Sequence, residues 1–387
     1  MTDSFIENRP SSSLASPDLG DNALEEARRY IGKEFRVERW NEQASKDVIR
    51  HYAWGLGDDN PLFTDASYGK RTRWGRMIAP PTFLFSVFDA VIGPGLPDVQ
   101  WFYSGADWTF YRPVREGEEV LVRAILADAF EVSGKLVKRM IVQTGEVTYS
   151  TEDGEPLAKV LSHVFRVPRS GAEGGLRYER REQHGYSDPE LNAIREAMLN
   201  EPVRGAKTRW WDDVSVGEEL PPAVRGPLNQ LDMTCYYAGS PGTSGYKSTK
   251  IKAKWSHWAR NDPQRIPNNY DPSYYAPAVS PSIGHQDGRI ARDELGMPGP
   301  YDNGPQRIGF MACCVTNWIG DDGFVAALGA RIKLPVIFGD TTFCKGKVLG
   351  KRLEGGKGLV DLELRAENQL GQVTATGAAV VELLRRA

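Results

Sequence analysis

Two stretches of this chain carry the same skeleton at one fixed offset. The first runs through "LFTD", "IAPPTFLFSVFDAVIG" and "YRPVREGEEVLVRA"; the second runs through "GHQD", "YDNGPQRIGFMACCVTNWIG" and "KLPVIFGDTTFCKG". Asp65 and Asp287, Pro113 and Pro335, and Gly117 and Gly339 all stand 222 residues apart. Between these landmarks a slip of one residue sets Pro81 opposite Gly304. Solenoid repeats recur every 20–50 residues or so, so a single long offset means a duplicated domain.

Each copy reads as a helix followed by strands. Segments 82–93 and 305–320 are apolar on most faces, which predicts two long helices buried all round. Pro80, Pro81 and Pro305 fall at or before their first turns, where a missing N–H costs little. Segments 106–167 and 324–384 alternate apolar and polar residues between turn signals such as "REGEE" and "LEGGKG", the pattern of antiparallel strands. The predicted class is therefore α+β. The expected organisation is a disordered tail at 1–20, a first unit at 21–168, a charged linker at 169–209 and a second unit at 210–387. The linker holds one helix, "DPELNAIREAML", and the second unit opens with a strand at "WWDDVSVGEELPP" and a helix at "LNQLDMTCYYAG". Segment 240–280 has no counterpart in the first copy and is read as an insertion.

Charge and composition narrow the function. The net charge of −3 gives no basic surface for nucleic acid, and no apolar run is long enough to span a membrane. The N-terminus lacks the basic-then-apolar order of a secretory signal. Cys235, Cys313, Cys314 and Cys344 form no CxxC pair and read as reduced, buried residues, which predicts a cytoplasmic protein without metal.

The spaced motifs "DDNPLFTD…IAPPTF…DWTFYRPVREGEEV" and "TRWWDDVSVGEELPP…HQDGRIARDELGMPGPYDNG…NWIGDDGF…FGDTTFCKGKV" resemble the two halves of two-module MaoC-like acyl-CoA dehydratases and R-specific enoyl-CoA hydratases. The resemblance spans nearly the whole chain apart from the tail, the linker and segment 240–280. It implies a double hotdog, in which two long central helices are each wrapped by a curved antiparallel sheet. It also implies reversible hydration of an acyl-CoA thioester in fatty-acid or aromatic-acid metabolism. Coenzyme A then enters only as part of the substrate, and the protein is a homodimer or a higher homo-oligomer.

The family signature G-D-x-N-P-x-H-x-D is split between the copies. The first keeps Gly57, Asp58, Asn60, Pro61 and Asp65 but has Phe63 in place of the histidine. The second keeps His285 and Asp287 but has Ser280 at the place of the first aspartate. His285 is accordingly the candidate catalytic base, since an imidazole both takes and gives a proton near neutral pH. His51, His163, His184 and His257 lack such a setting and read as structural. Candidate acids are Asp302, Asp58 and, inside the unmatched segment, Asp271; helix capping or turn bracing is the plainer reading of Asp302, Asp58 and Asp287. The resemblance makes the Gly304 N–H the oxyanion donor, which a helix N-terminus suits. Phe63, Asn303 and Tyr301 are the expected substrate-binding residues, with Phe63 an apolar wall. The lysines and aromatics of 247–275 form either a solvated loop or a lid for the phosphates of coenzyme A.

Two rivals stay open. One is a hotdog thioesterase, which commonly uses a carboxylate at the central helix; the second helix has none, whereas Asp89 lies in the first. The other is a non-catalytic subunit that binds acyl chains.

Overall fold

The computed structural model describes residues 19–96, 99–134, 137–168, 178–241, 248–266 and 281–386. Ten strands form one antiparallel sheet. The N-terminal half supplies β1 (Glu34–Phe35), β2 (Gln100–Phe110), β3 (Leu121–Val132), β4 (Met140–Ser150) and β5 (Pro156–Val167). The C-terminal half supplies β6 (Glu219–Arg225), β7 (Phe324–Ile332), β8 (Thr342–Glu354), β9 (Lys357–Glu367) and β10 (Val373–Leu383). The order across the sheet is β1-β3-β4-β5-β2-β7-β10-β9-β8-β6, so each half repeats the other's topology outward from a central seam. The repeat is visible in detail. An isolated bridge joins Ile78 to Arg115 in one half and Tyr301 to Ile337 in the other, reproducing both the offset and its one-residue slip. Gly117 and Gly339 turn the chain at matching φ of 92° and 88°, a region that glycine enters without strain.

The seam is β2 against β7, paired from Gly105 with Arg331 to Thr109 with Ala327. Gly105 lies at an irregularity in β2, where a Cβ would sit 2.1 Å from the Ala330 carbonyl oxygen. Only glycine lets the two halves approach so closely.

The second central helix, Gly304–Ile319, packs against β6 to β10 and β2 and is buried at every position from Pro305 onward, as its all-round apolar pattern predicts. The first central helix departs from expectation. Pro81–Phe83 form a 3-10 turn and Leu84–Val87 a single helical turn; the chain then leaves at Phe88, extended at φ −153°, instead of continuing to residue 93. Ala90 follows at φ 58°, uncommon for a residue with a Cβ. Carbonyls that a continuing helix would use are taken by side chains from elsewhere. Phe88 O accepts from the Tyr149 hydroxyl at 3.0 Å, and Ala90 O accepts from the Ser162 hydroxyl. The buried Arg166 guanidinium donates to the carbonyls of Gly93, Gly95, Leu96 and Val99. Phe85 fills the space inside this half, edge-on to Trp108 with ring centroids 4.9 Å apart.

The linker helix forms at Asp188–Leu199, started by the Ser187 N–H donating to the Glu190 carboxylate at 2.7 Å. The helix expected at the start of the second unit is Gln230–Gly239. The opening strand is shifted, with Trp211–Asp213 in a 3-10 turn and β6 beginning at Glu219. Within segment 240–280, Thr249–Asn261 is helical, while Asp271 and the tyrosines 270, 274 and 275 lie outside the described residues.

Candidate active site

A cavity of about 330 Å³ opens where the N-terminus of the second central helix meets β2, walled largely by apolar residues such as Phe102, Val137, Met140 and Phe165. That is the low end of the range for ligand-holding clefts, about 300–1,000 Å³. Both halves contribute to it.

The second half contributes His285, Tyr301, Asn303 and Gly304. His285 is buried, and its Nδ1 lies 2.9 Å from the Tyr301 carbonyl oxygen. A carbonyl can only accept, so Nδ1 carries the proton and Nε2 is the basic nitrogen of the neutral ring. The Tyr301 carbonyl is aimed by its strand-like setting: Asp302 N–H donates to Val336 O at 2.9 Å and Phe338 N–H to Pro300 O at 3.0 Å. Burial lowers the His285 pKa below its usual 6.5, and the Tyr301 carbonyl and Asp302 only partly oppose this. The ring is therefore held neutral and ready to accept a proton.

Gly304 is the first residue of the helix, so its N–H has no acceptor within that helix, and Pro305 after it has no N–H to offer. A Cβ at Gly304 would fall 2.7 Å from Cδ1 of Tyr103, so the glycine lets the β2 tyrosine cover the helix terminus.

Asp302 is a correction. Both its oxygens are taken by Arg307, through Nε at 2.7 Å and through Nη2, in a pair whose side chains are each 2% exposed. Arg307 also donates to Leu334 O and Thr374 O, at 2.7 and 2.8 Å. Asp302 thus pairs with a buried arginine, and both its oxygens are occupied.

Asp58 is a second correction. It meets Cys313, with Sγ 3.5 Å from Oδ2, nine residues along the second central helix from Gly304. At about 1.5 Å per residue that is roughly 13 Å along the axis, and Asp58 does not line the cavity of His285. Burial pushes its pKa up to about 6, with Arg225 pulling the other way. The retained frame has a local purpose. Asp58 Oδ1 accepts from Asn60 N–H at 3.0 Å, Asn60 Oδ1 from Leu62 N–H at 3.0 Å and Asp65 Oδ1 from Ser67 N–H at 2.7 Å. These are turn and cap bonds, which explains why the motif persists without its histidine. Asp287 likewise accepts from Arg289 and Ile290 N–H, at 2.9 and 3.0 Å.

Phe63 is the third correction. It is 2% exposed, packs on Leu62, Ala53 and Ile78, and borders a separate cavity of about 40 Å³, room for about one water rather than an acyl chain. That small cavity is the repeat mate of the large one, with Phe63 at the place of His285 and Pro81 at the place of Gly304. There Phe63 offers no titratable group and Pro81 no N–H.

Two further residues line the cavity: Tyr103, which had no role in the expectations above, and Asp89, which entered them only through the thioesterase alternative. Tyr103 covers Gly304, and its buried hydroxyl has no partner among the described residues. Asp89 faces the cavity from the broken first helix, its Oδ1 accepting from Val91 N–H at 3.1 Å. Burial pushes its pKa up to about 7; the Val91 N–H opposes the rise and Glu38 adds to it. Asp89 was legible as the lone carboxylate of an apolar segment; Tyr103 carried no such signal. Among the described residues no group of three or more His, Cys, Asp or Glu is placed to hold a metal, and no helix is long and apolar enough to cross a membrane.

The profile of the FAS1-like dehydratase domain region matches residues 29–160. A UPF0336 protein of Parafrankia sp. (strain EAN1pec) is 32% identical over 124 residues, 30% of this chain and 79% of the relative. A MaoC-like dehydratase of known structure superposes with TM-score 0.62 at 19% identity, covering 93% of this chain and all of the other. The chain belongs to the MaoC-like dehydratase family. The 3-hydroxybutyryl-CoA dehydratase of Methylorubrum extorquens (strain ATCC 14718 / DSM 1338 / JCM 2805 / NCIMB 9133 / AM1) is 29% identical over 136 residues, 35% of this chain and 85% of that enzyme. A double-hotdog protein of Mycobacterium tuberculosis superposes with TM-score 0.55 at 12% identity, over 91% of this chain and 96% of its own. The MaoC-like double hotdog is thus the fold, with its first central helix cut short.

Proposed function

We propose that this MaoC-like protein interconverts an enoyl-CoA and its 3-hydroxyacyl-CoA through one site at the N-terminus of the second central helix. The observation that carries the reading is His285, kept neutral by burial and fixed as the Nδ1–H tautomer in the cavity that Gly304 also lines. In the hydration direction water attacks Cβ and His285 Nε2 takes its proton. The π electrons move toward the thioester oxygen, where the Gly304 N–H and the positive end of the helix stabilise the developing charge. The reaction oxidises and reduces nothing, so as written it requires no cofactor. The dehydratase relatives favour the same class of chemistry.

Thioester hydrolysis is the second reading, favoured by the Asp89 carboxyl in the same cavity. A panel of trans-2-enoyl-CoA thioesters, from crotonyl to ring-bearing acyl groups, separates the two when hydration and free thiol are followed together. Hydration without thiol release is the expected result; thiol release without hydration overturns it. His285→Ala is expected to lower kcat for hydration by about 10²–10⁴, the usual worth of a general base, with little change in KM.

A further inference from the structure

We propose that Asp89, from the N-terminal half, is the catalytic acid opposite His285, so that the site draws its two proton carriers from different halves of the chain. The inference rests on the hydration reading and supplies what that reading lacks, a proton for Cα. The second central helix, Gly304–Ile319, has no acidic residue, and Asp302 is occupied by Arg307. Asp89 is the carboxyl that lines the cavity with His285 and is not taken by an arginine.

Its position is built. The carbonyls on either side of it, Phe88 O and Ala90 O, are each held by a buried hydroxyl, Tyr149 from β4 and Ser162 from β5. Ala90 keeps a positive φ of 58°, a conformation that persists in a residue with a Cβ only when the surroundings enforce it. Arg166, held by Gln143 Oε1 at 3.0 Å as well as by four loop carbonyls, fixes the chain that follows. A central helix has been opened at the residue whose carboxyl reaches the cavity.

Its surroundings suit an acid. The groups whose charge couples to Asp89 are Glu38 from the segment after β1, Tyr103 from β2 and Tyr149 from β4; His285, Lys333 and the Asp302–Arg307 pair line the same cavity. Asp340 and Glu201, by contrast, are paired with Arg181 and Arg225. A carboxyl buried in a largely apolar cavity keeps its proton toward neutral pH, and burial is the main cause of the raised Asp89 pKa.

The step balances. Water oxygen bonds to Cβ as His285 Nε2 removes one of its protons, and the C=C π pair passes into the thioester as an enolate. The enolate then re-forms the C=O and takes the Asp89 carboxyl proton at Cα. The imidazolium finally returns a proton to the Asp89 carboxylate, leaving one water added and both residues as they began. Activity therefore needs neutral His285 and protonated Asp89. The rate rises with pH through the lowered His285 pKa and falls as pH passes the Asp89 pKa of about 7.

The test uses the full chain and the best enoyl-CoA of the panel. Asp89→Asn keeps an acceptor for Val91 N–H and is expected to melt at the wild-type temperature. Its kcat should fall by about 10²–10⁴ with KM little changed, and the alkaline limb of the pH–rate profile should vanish. Asp89→Glu, which keeps the carboxyl one methylene farther out, should retain part of the rate and an alkaline limb with a shifted midpoint. An Asn variant with wild-type kcat and an intact alkaline limb overturns the role of Asp89 and leaves the hydration reading standing. A Glu variant whose alkaline midpoint has not moved overturns it as well, even where the Asn variant does not fold. Wild-type protein that hydrolyses the panel without hydrating it overturns both proposals together.

Discussion

At the scale of single residues, two positions related by the repeat border cavities of very different size. His285 faces a cavity of about 330 Å³ beside a glycine N–H, whereas Phe63 borders about 40 Å³ beside Pro81. Restoring the histidine alone cannot rebuild chemistry there, because Pro81 has no N–H to meet an oxyanion and no acyl chain fits. Phe63→His is therefore expected to add no hydration activity. It should instead destabilise the protein by about 1–3 kcal/mol, the cost of burying a polar ring in an apolar cluster, read as a lower denaturation midpoint. A gain of turnover in that variant would mean that the N-terminal half is nearly competent. His285→Asn offers the complementary check: Asn can hydrogen-bond Tyr301 O but cannot take a proton from water, so its kcat should fall nearly as far as that of His285→Ala.

At the scale of elements, the first central helix is the informative one. Its apolar run continues past Val87, yet the helix stops there because hydroxyls and a guanidinium from the sheet capture the carbonyls that follow. Arg166 is 1% exposed, and burial draws its pKa down to about 10, with the Glu26 charge opposing; its direct hydrogen-bond acceptors are loop carbonyls and Gln143. Arg166→Leu should leave several buried carbonyls without a donor and cost about 3 kcal/mol or more in urea unfolding. If Asp89 needs this loop, hydration should also fall in the folded fraction. A variant with wild-type stability would show that water satisfies those carbonyls.

At the scale of the whole molecule, the two halves become one sheet at the β2–β7 seam. Two features cross it and should differ greatly in worth. The Arg331–Asp107 pair is more than 40% exposed on both sides, so Arg331→Met should change stability by less than about 1 kcal/mol. Gly105→Ala puts a methyl 2.1 Å from the Ala330 carbonyl at a φ of 146°, so it should cost about 3 kcal/mol or more and separate the unfolding of the halves. Calorimetry reads both effects, and one sharp wild-type-like transition in Gly105→Ala would show that the seam tolerates the strain. Hydration should fall with the seam, since the cavity is walled from both sides of it.

The amino-acid sequence by itself determined the duplication, the strand-rich second part of each unit, the second central helix and the singular place of His285. These follow from local periodicity and from spacing, which a chain carries without its neighbours. The family resemblance, read from the same motifs, anticipated the double hotdog. Only the tertiary structure decided the rest. Asp302 and Arg307 are five residues apart, but which acid that arginine takes depends on its packing against Leu334 and Thr374. Asp58 shares a motif with the histidine's old position, yet it ends beside Cys313, 255 residues away. Phe63 reads equally well as a pocket wall or as core, and only the size of the space around it separates the two. The broken helix depends on bonds between residues 61 to 73 positions apart, which no helical pattern records. Asp89, which lines the cavity of His285, belongs to the other half, and hydrophobic periodicity says nothing about which two faces meet when the sheet closes.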